Sequence, residues 1–155
     1  MVVCRSEYRP NGEASISSTG KPAVSRDGHV EISYDVPRRL NANEIPGVIG
    51  DFRIAARNAI QAGFDGVEVH AAHGYLINQF LMDSVNDRND KYGWSLENRC
   101  RFALEIVAGC SALSLHRAPG SLRLRTQTCT LGVYMARAVN DLCMLYLHMV
   151  EPRMV

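Results

Sequence analysis

His70, His73 and Tyr75 close the run Gly66-Val67-Glu68-Val69-His70-Ala71-Ala72-His73-Gly74-Tyr75. Two imidazoles and a phenol within six residues can exchange hydrogen bonds and protons near neutral pH, or bind a metal. Glu68 adds a carboxylate just upstream. His-x-x-His beside a carboxylate admits a zinc hydrolase, but no third ligand and no second layer of partners can be identified, so no metal is assigned. The run itself reads as a short buried strand ending at its ionisable residues. Polar chemistry just past a strand's carboxyl end is where α/β barrels keep their active sites.

The elements that must position these residues follow from periodicity. A helix begins near Asn41 and is expected over 43–62, with Asn41 and Glu44 as an approximate capping box. Ile45, Val48, Ile49, Phe52, Ala55, Ala56, Ala59 and Ile60 share its buried face, and Gly63 stands where a helix-ending glycine belongs. The strand is expected over 66–69, followed by a helical turn over 77–82. The polar stretch 83–95 reads first as a solvated loop, with a loop rimming the site as the alternative. Ser95 caps a helix reaching 107, with Leu96, Cys100, Ala103, Leu104 and Val107 inward. Residues 109–130 keep neither period and are expected to be irregular; only Ser121 to Arg125 offers a weak strand alternation. Order returns with a helix over 133–139 and a second buried strand over 145–150, parallel to the first. The first 40 residues are loop, with turn signals at Asn11-Gly12 and Asp27-Gly28 and room for a short hairpin. Helix and strand in alternation predict a parallel α/β fold in one domain spanning 1–155.

Bulk properties exclude several classes. A net charge of +1 gives no field for nucleic acid or anionic lipid, and the basic cluster Arg117, Arg123, Arg125 has no interleaved aromatics. Five cysteines without a C-x-x-C pair point to a reducing, cytoplasmic setting. The amino terminus turns polar too soon for a signal peptide, no apolar run spans a bilayer, and the last residues form no peroxisomal tripeptide. His29, His116 and His148 read as ordinary surface or core residues. The oligomeric state is left open.

The chain resembles the Old Yellow Enzyme family, in its plant 12-oxophytodienoate reductase branch. The resemblance is carried by His70-Ala71-Ala72-His73-Gly74-Tyr75-Leu76-Ile77-Asn78-Gln79-Phe80, then Val85-Asn86-Asp87-Arg88 and Ser95-Leu96-Glu97-Asn98-Arg99. Further matches are Pro10-Asn11-Gly12-Glu13, Pro37-Arg38-Arg39-Leu40, Phe52 to Ile60 and Val150-Glu151-Pro152-Arg153-Met154. It implies a TIM-type (β/α)8 barrel, present here as a partial barrel of about strands 4 to 6. It also implies an FMN-dependent enzyme that reduces activated C=C bonds of small enones with electrons from NADPH, in oxylipin and jasmonate metabolism. By resemblance, His70 and His73 hold the substrate carbonyl oxygen, Tyr75 is the catalytic proton donor and Arg153 lies near the substrate. Arg123 is the stand-in for a flavin-contacting arginine of the fifth strand.

The pattern also departs from the family. The chain is shorter than the roughly 250 residues of a closed barrel, and the strands that carry the flavin phosphate site have no counterpart in it. The match lapses over 109–130, and Trp94 stands where the family has glycine. The alternative expectation is therefore a catalytically inactive truncated remnant, colourless and without FMN.

Overall fold

The computed structural model describes residues 10–27, 30–111, 120–126, 128–142 and 144–150. The first segment is mostly connection. Pro10–Gly12 is a 3-10 turn with Asn11 and Gly12 in left-handed backbone (φ 57° and 68°), the conformation that Asn-Gly pairs adopt readily. The small strands β1 (Ile16–Ser17), β2 (Val24–Asp27), β3 (Val30–Ser33) and β4 (Arg38–Arg39) follow. β2 and β3 form the hairpin, with Asp27 opposite Val30, while β1 and β4 pair in parallel.

α1 (Ile45–Gln61) lies inside the expected helix. The capping box is half realised: the Glu44 carboxylate accepts from the Asn41 backbone N–H at 2.8 Å, but it also takes the Asn41 side chain, so regular helix begins only at Ile45. Gly63 ends the helix with φ 97°. The strand β5 (Glu68–Ala71) sits two residues later than the 66–69 expected, in register with its neighbour from Glu68 onward. α2 (Leu76–Leu81) is the expected helical turn. α3 (Leu96–Ser111) is capped by Ser95, whose Oγ accepts from the Asn98 N–H at 3.2 Å, and it runs four residues past the expected end.

The stretch 109–130, expected to be irregular, is a correction in its described parts. β6 (Ser121–Arg125) is a regular strand between two others, and α4 (Cys129–Asn140) begins four residues before the helix expected at 133. The weak alternation of Ser121 to Arg125 has a physical cause. Leu122 and Leu124 are fully buried against helices, while Arg123 and Arg125 are only partly exposed. Thr128 starts α4 early by accepting the Leu131 N–H on its hydroxyl at 3.2 Å.

β7 (Tyr146–Val150) completes a three-stranded parallel sheet in the order β5-β6-β7. The two strands anticipated from sequence are thus parallel and share a sheet. β7 is not buried as expected, however: Tyr146 is 50% and Met149 45% exposed, because β7 has a partner on one edge only among the described residues. On one face of the sheet Val69, Ala71, Leu122 and Leu124 join Ile77, Phe80 and Leu81 of α2 in a single core. Phe102, Ile106 and Val107 of α3 and Met135 of α4 complete it. α3 is the hub, packing against α1, α2 and α4.

The loop 83–95 is a second correction. It is not simply solvated, since Asn86, Arg88 and Tyr92 are buried. The Asn86 amide donates to the Phe80 and Tyr92 carbonyls (2.7 and 2.8 Å), and Arg88 donates to the Leu40 carbonyl at 2.6 Å while pairing with Asp90. Polar residues here do the work of a core by saturating one another inside the loop. Trp94 sits at φ 69° and is 85% exposed, so it holds a left-handed conformation with little burial in return. Trp94→Gly is expected to raise stability by about 0.5–1 kcal/mol, measured as a higher urea midpoint at unchanged slope.

Candidate active site

The site is built where β5 ends. Ala72 leads into His73 (φ 56°) and Gly74 (φ 77°), two successive left-handed residues that reverse the chain before α2. A histidine in that region carries strain, which is most often tolerated where the geometry is used. The turn is clamped from below by two buried amides of α2. The Asn78 Oδ1 accepts the Gly74 N–H at 2.9 Å, and the Asn78 Nδ2 donates to the Ala71 carbonyl at 3.3 Å. The Gln79 side chain donates to the Gly74 carbonyl at 2.7 Å and accepts from the Ser17 hydroxyl at 2.7 Å. Asn78 and Gln79, which in sequence only carry part of the family resemblance, fix the turn.

The turn brings the side chains together. The His73 Nδ1 lies 3.3 Å from the His70 Nε2, and the His70 ring centroid is 5.1 Å from those of both His73 and Tyr75. His70 is half-buried, whereas His73 and Tyr75 are exposed. The other His70 ring nitrogen, Nδ1, is buried without a partner. Burial pushes the His70 pKa below the ordinary histidine value, and the neighbouring His73 and Arg123 push in the same direction against Glu68. His70 is therefore neutral in the folded chain at pH values where an unfolded histidine begins to charge. The unfolded state binds more protons below about pH 6.5, so stability is complete above that value and falls as pH drops toward and through the lowered folded pKa. Replacing His70 with Asn is expected to flatten this slope, read from urea melts across the interval.

Register carries the site across the sheet. His70, Arg123 and His148 lie side by side on β5, β6 and β7. Glu68, one layer below, reaches Arg123 (Oε1 to Nε, 3.2 Å) and accepts from the Tyr146 hydroxyl at 3.4 Å. The Arg123 Nε also donates to the His148 Nδ1 at 3.2 Å. Arg123, the stand-in implied by the resemblance, is thus placed beside His70 in the ladder. His148, read from sequence as an ordinary residue, belongs to the same group. Its partners lie 25 and 80 positions away, so no local spacing signals it. Arg153 lies outside the described residues. Glu68 faces Arg123 and Tyr146, and among the described residues no three His, Cys, Asp or Glu side chains are grouped to hold a metal.

FMN, the cofactor implied by the resemblance, is tested by two features. The buried Nδ1 of His70 is an orphan, and among the described residues the Arg123 guanidinium is held at its Nε while its Nη groups make no hydrogen bond or ion pair. His70 and Arg123 share one sheet face, and the Arg123 Nη donors suit a flat ligand edged with acceptor atoms. In that respect the residues fit.

Residues 2–125 match the family described as NADH:flavin oxidoreductase / NADH oxidase. The chain is 48% identical over 162 residues to 12-oxophytodienoate reductase 2 of Arabidopsis thaliana, covering 95% of this chain and 42% of that protein. It is 49% identical over 164 residues to 12-oxophytodienoate reductase 1 of Oryza sativa subsp. japonica, covering 98% and 42%. The chain thus spans under half the length of these relatives. Among solved structures it is similar to the Old Yellow Enzyme homologue from Zymomonas mobilis, with TM-score 0.79 and 33% identity over 90% of this chain and 42% of that one. It is also similar to morphinone reductase in complex with tetrahydroNAD, with TM-score 0.77 and 32% identity over 94% and 45%. Its strands and helices are those of part of an Old Yellow Enzyme-type α/β barrel.

Proposed function

This chain belongs to the NADH:flavin oxidoreductase / NADH oxidase family, and from that membership we propose that its site serves an FMN-dependent, NADPH-linked reductase of α,β-unsaturated carbonyls, of the 12-oxophytodienoate type. The observation that supports this most is the convergence of His70, His73 and Tyr75 at the carboxyl end of β5, with Arg123 in register beside them. FMN, when bound, supplies to the substrate the hydride that NADPH has given it. The chain's own residues handle charge and proton. As hydride reaches the β-carbon of an enone, negative charge grows on the carbonyl oxygen. N–H groups of His70 and His73 directed at that oxygen stabilise it. His70 acts as a neutral imidazole, because burial holds its pKa down. The Tyr75 phenol, beside His70, gives its Oη proton to the α-carbon. The Arg123 Nη groups hold the cofactor's acceptor edge, and Arg153 is proposed to line the substrate side.

The substrate we propose is a small oxylipin enone, taken up in the cytoplasm without a nucleic-acid or membrane partner. Three free thiols, Cys100, Cys110 and Cys129, suit a reducing compartment, and no described helix is long and apolar enough to cross a membrane. A second reading rests on the sheet itself. β5 and β7 each have one unpaired edge among the described residues, and the Glu68, Arg123 and His148 side chains are 30–42% exposed. In that reading the chain retains the site residues but holds no flavin. Titrating FMN into the 155-residue chain while following flavin fluorescence separates the two. The reductase reading expects saturable binding and NADPH-dependent reduction of 2-cyclohexenone. A chain that leaves FMN free in solution overturns it in favour of the second.

A further inference from the structure

Among the described residues, Glu68 is an acidic side chain on the site's sheet face that touches both other strands. Its Oε1 lies 3.2 Å from the Arg123 Nε on β6, and its Oε2 accepts from the Tyr146 hydroxyl on β7 at 3.4 Å, with the His148 Nδ1 3.6 Å away. The Arg123 Nε donates at the same time to the His148 Nδ1 at 3.2 Å. A guanidinium has five N–H donors in a rigid plane, so fixing the Nε fixes where the Nη pair can point. The Nε–H goes to His148 with the Glu68 carboxylate ion-paired alongside it, and the Nη edge is left over in the same sheet layer as His70.

We propose that Glu68 is a positioning residue: its carboxylate bridges the three strands, holds Arg123 by the Nε and so reserves the Nη edge for the acceptor atoms of the cofactor. This rests on the reading that Arg123 faces the flavin. Glu68 touches no reacting atom.

The test uses the 155-residue chain and nitrogen-15 NMR of arginine side chains, with Arg123→Lys to assign the signal. In the parent, the Arg123 Nε–H is expected as a dispersed, slowly exchanging cross-peak. Glu68→Gln is expected to return it to the position of free arginine, with little change in thermal midpoint, and Glu68→Asp to recover it in part. FMN binding, followed by fluorescence quenching, is expected to weaken about tenfold in Glu68→Gln, as the loss of one oriented charge-assisted contact allows, and to recover in part in Glu68→Asp. An Nε–H signal unchanged in Glu68→Gln overturns the proposal. So does a released signal with FMN affinity unchanged. If the parent binds no FMN, the flavin reading fails on its own, and the Nε–H signal still decides whether Glu68 holds Arg123.

Discussion

A methyl group on residue 93 is expected to cost about 3 kcal/mol of stability. A Cβ at Gly93 would lie 2.3 Å from the Arg88 carbonyl oxygen, 2.5 Å from the Arg88 Cβ and 2.7 Å from its carbonyl carbon. These atoms cannot swing aside as a side-chain tip would. Arg88 is buried and tied to the Leu40 carbonyl, to Asp90 and, through its own N–H, to the Asn86 Oδ1. Making room at 93 therefore breaks the link between the loop and the entrance to α1. Gly109 is the control: nothing lies within 4 Å of a Cβ there, and it sits inside α3. Gly109→Ala should gain up to about 1 kcal/mol. Urea melts of the parent and both variants decide the matter. Equal midpoints for Gly93→Ala and the parent would mean that the loop opens freely.

The second large effect is on turnover. In the FMN-loaded protein, His70→Ala is expected to slow enone reduction about 10²–10³-fold, the usual loss for one oxyanion donor. Binding of phenolic ligands, which imitate an enolate oxygen, should weaken with it. The Tyr75 ring lies beside His70 but is exposed, so Tyr75→Phe removes a proton without disturbing the turn. It should slow the oxidative half-reaction with enone and leave flavin reduction by NADPH nearly intact. Stopped-flow traces separate the two halves. If both variants match the parent in both halves, the assigned roles are wrong.

The local parts of this structure were legible in the sequence. Period 3.6 located α1 and α3, Ser95 and Gly63 marked their ends, and the apolar run before His70 located β5 to within two residues. The convergence of His70, His73 and Tyr75 was also legible, because the turn is made by adjacent residues. What escaped depends on contacts far apart in the chain. β6 reads weakly because Arg123 is held by Glu68 and His148 across the sheet and is only partly exposed. Glu68, Arg123 and His148 meet only through strand register, which no single stretch contains. Arg88 looked like a solvated loop charge because its carbonyl partner lies 48 residues upstream.

The burial of α3 gives the chain an internal clock. Cys100, on the hub helix, is fully buried, and desolvation pushes its thiol pKa up to about 12; the buried Cys110 thiol is pushed up as well. A thiol reacts through its thiolate, so in the folded chain both are shielded by geometry and by protonation. Cys129, at the start of α4, is exposed and reacts on its own schedule. Alkylation with a maleimide, read by mass spectrometry, should therefore label Cys129 at once. Cys100 should be labelled only as often as α3 leaves its neighbours, so the lag between the two adducts measures opening of the core in native buffer.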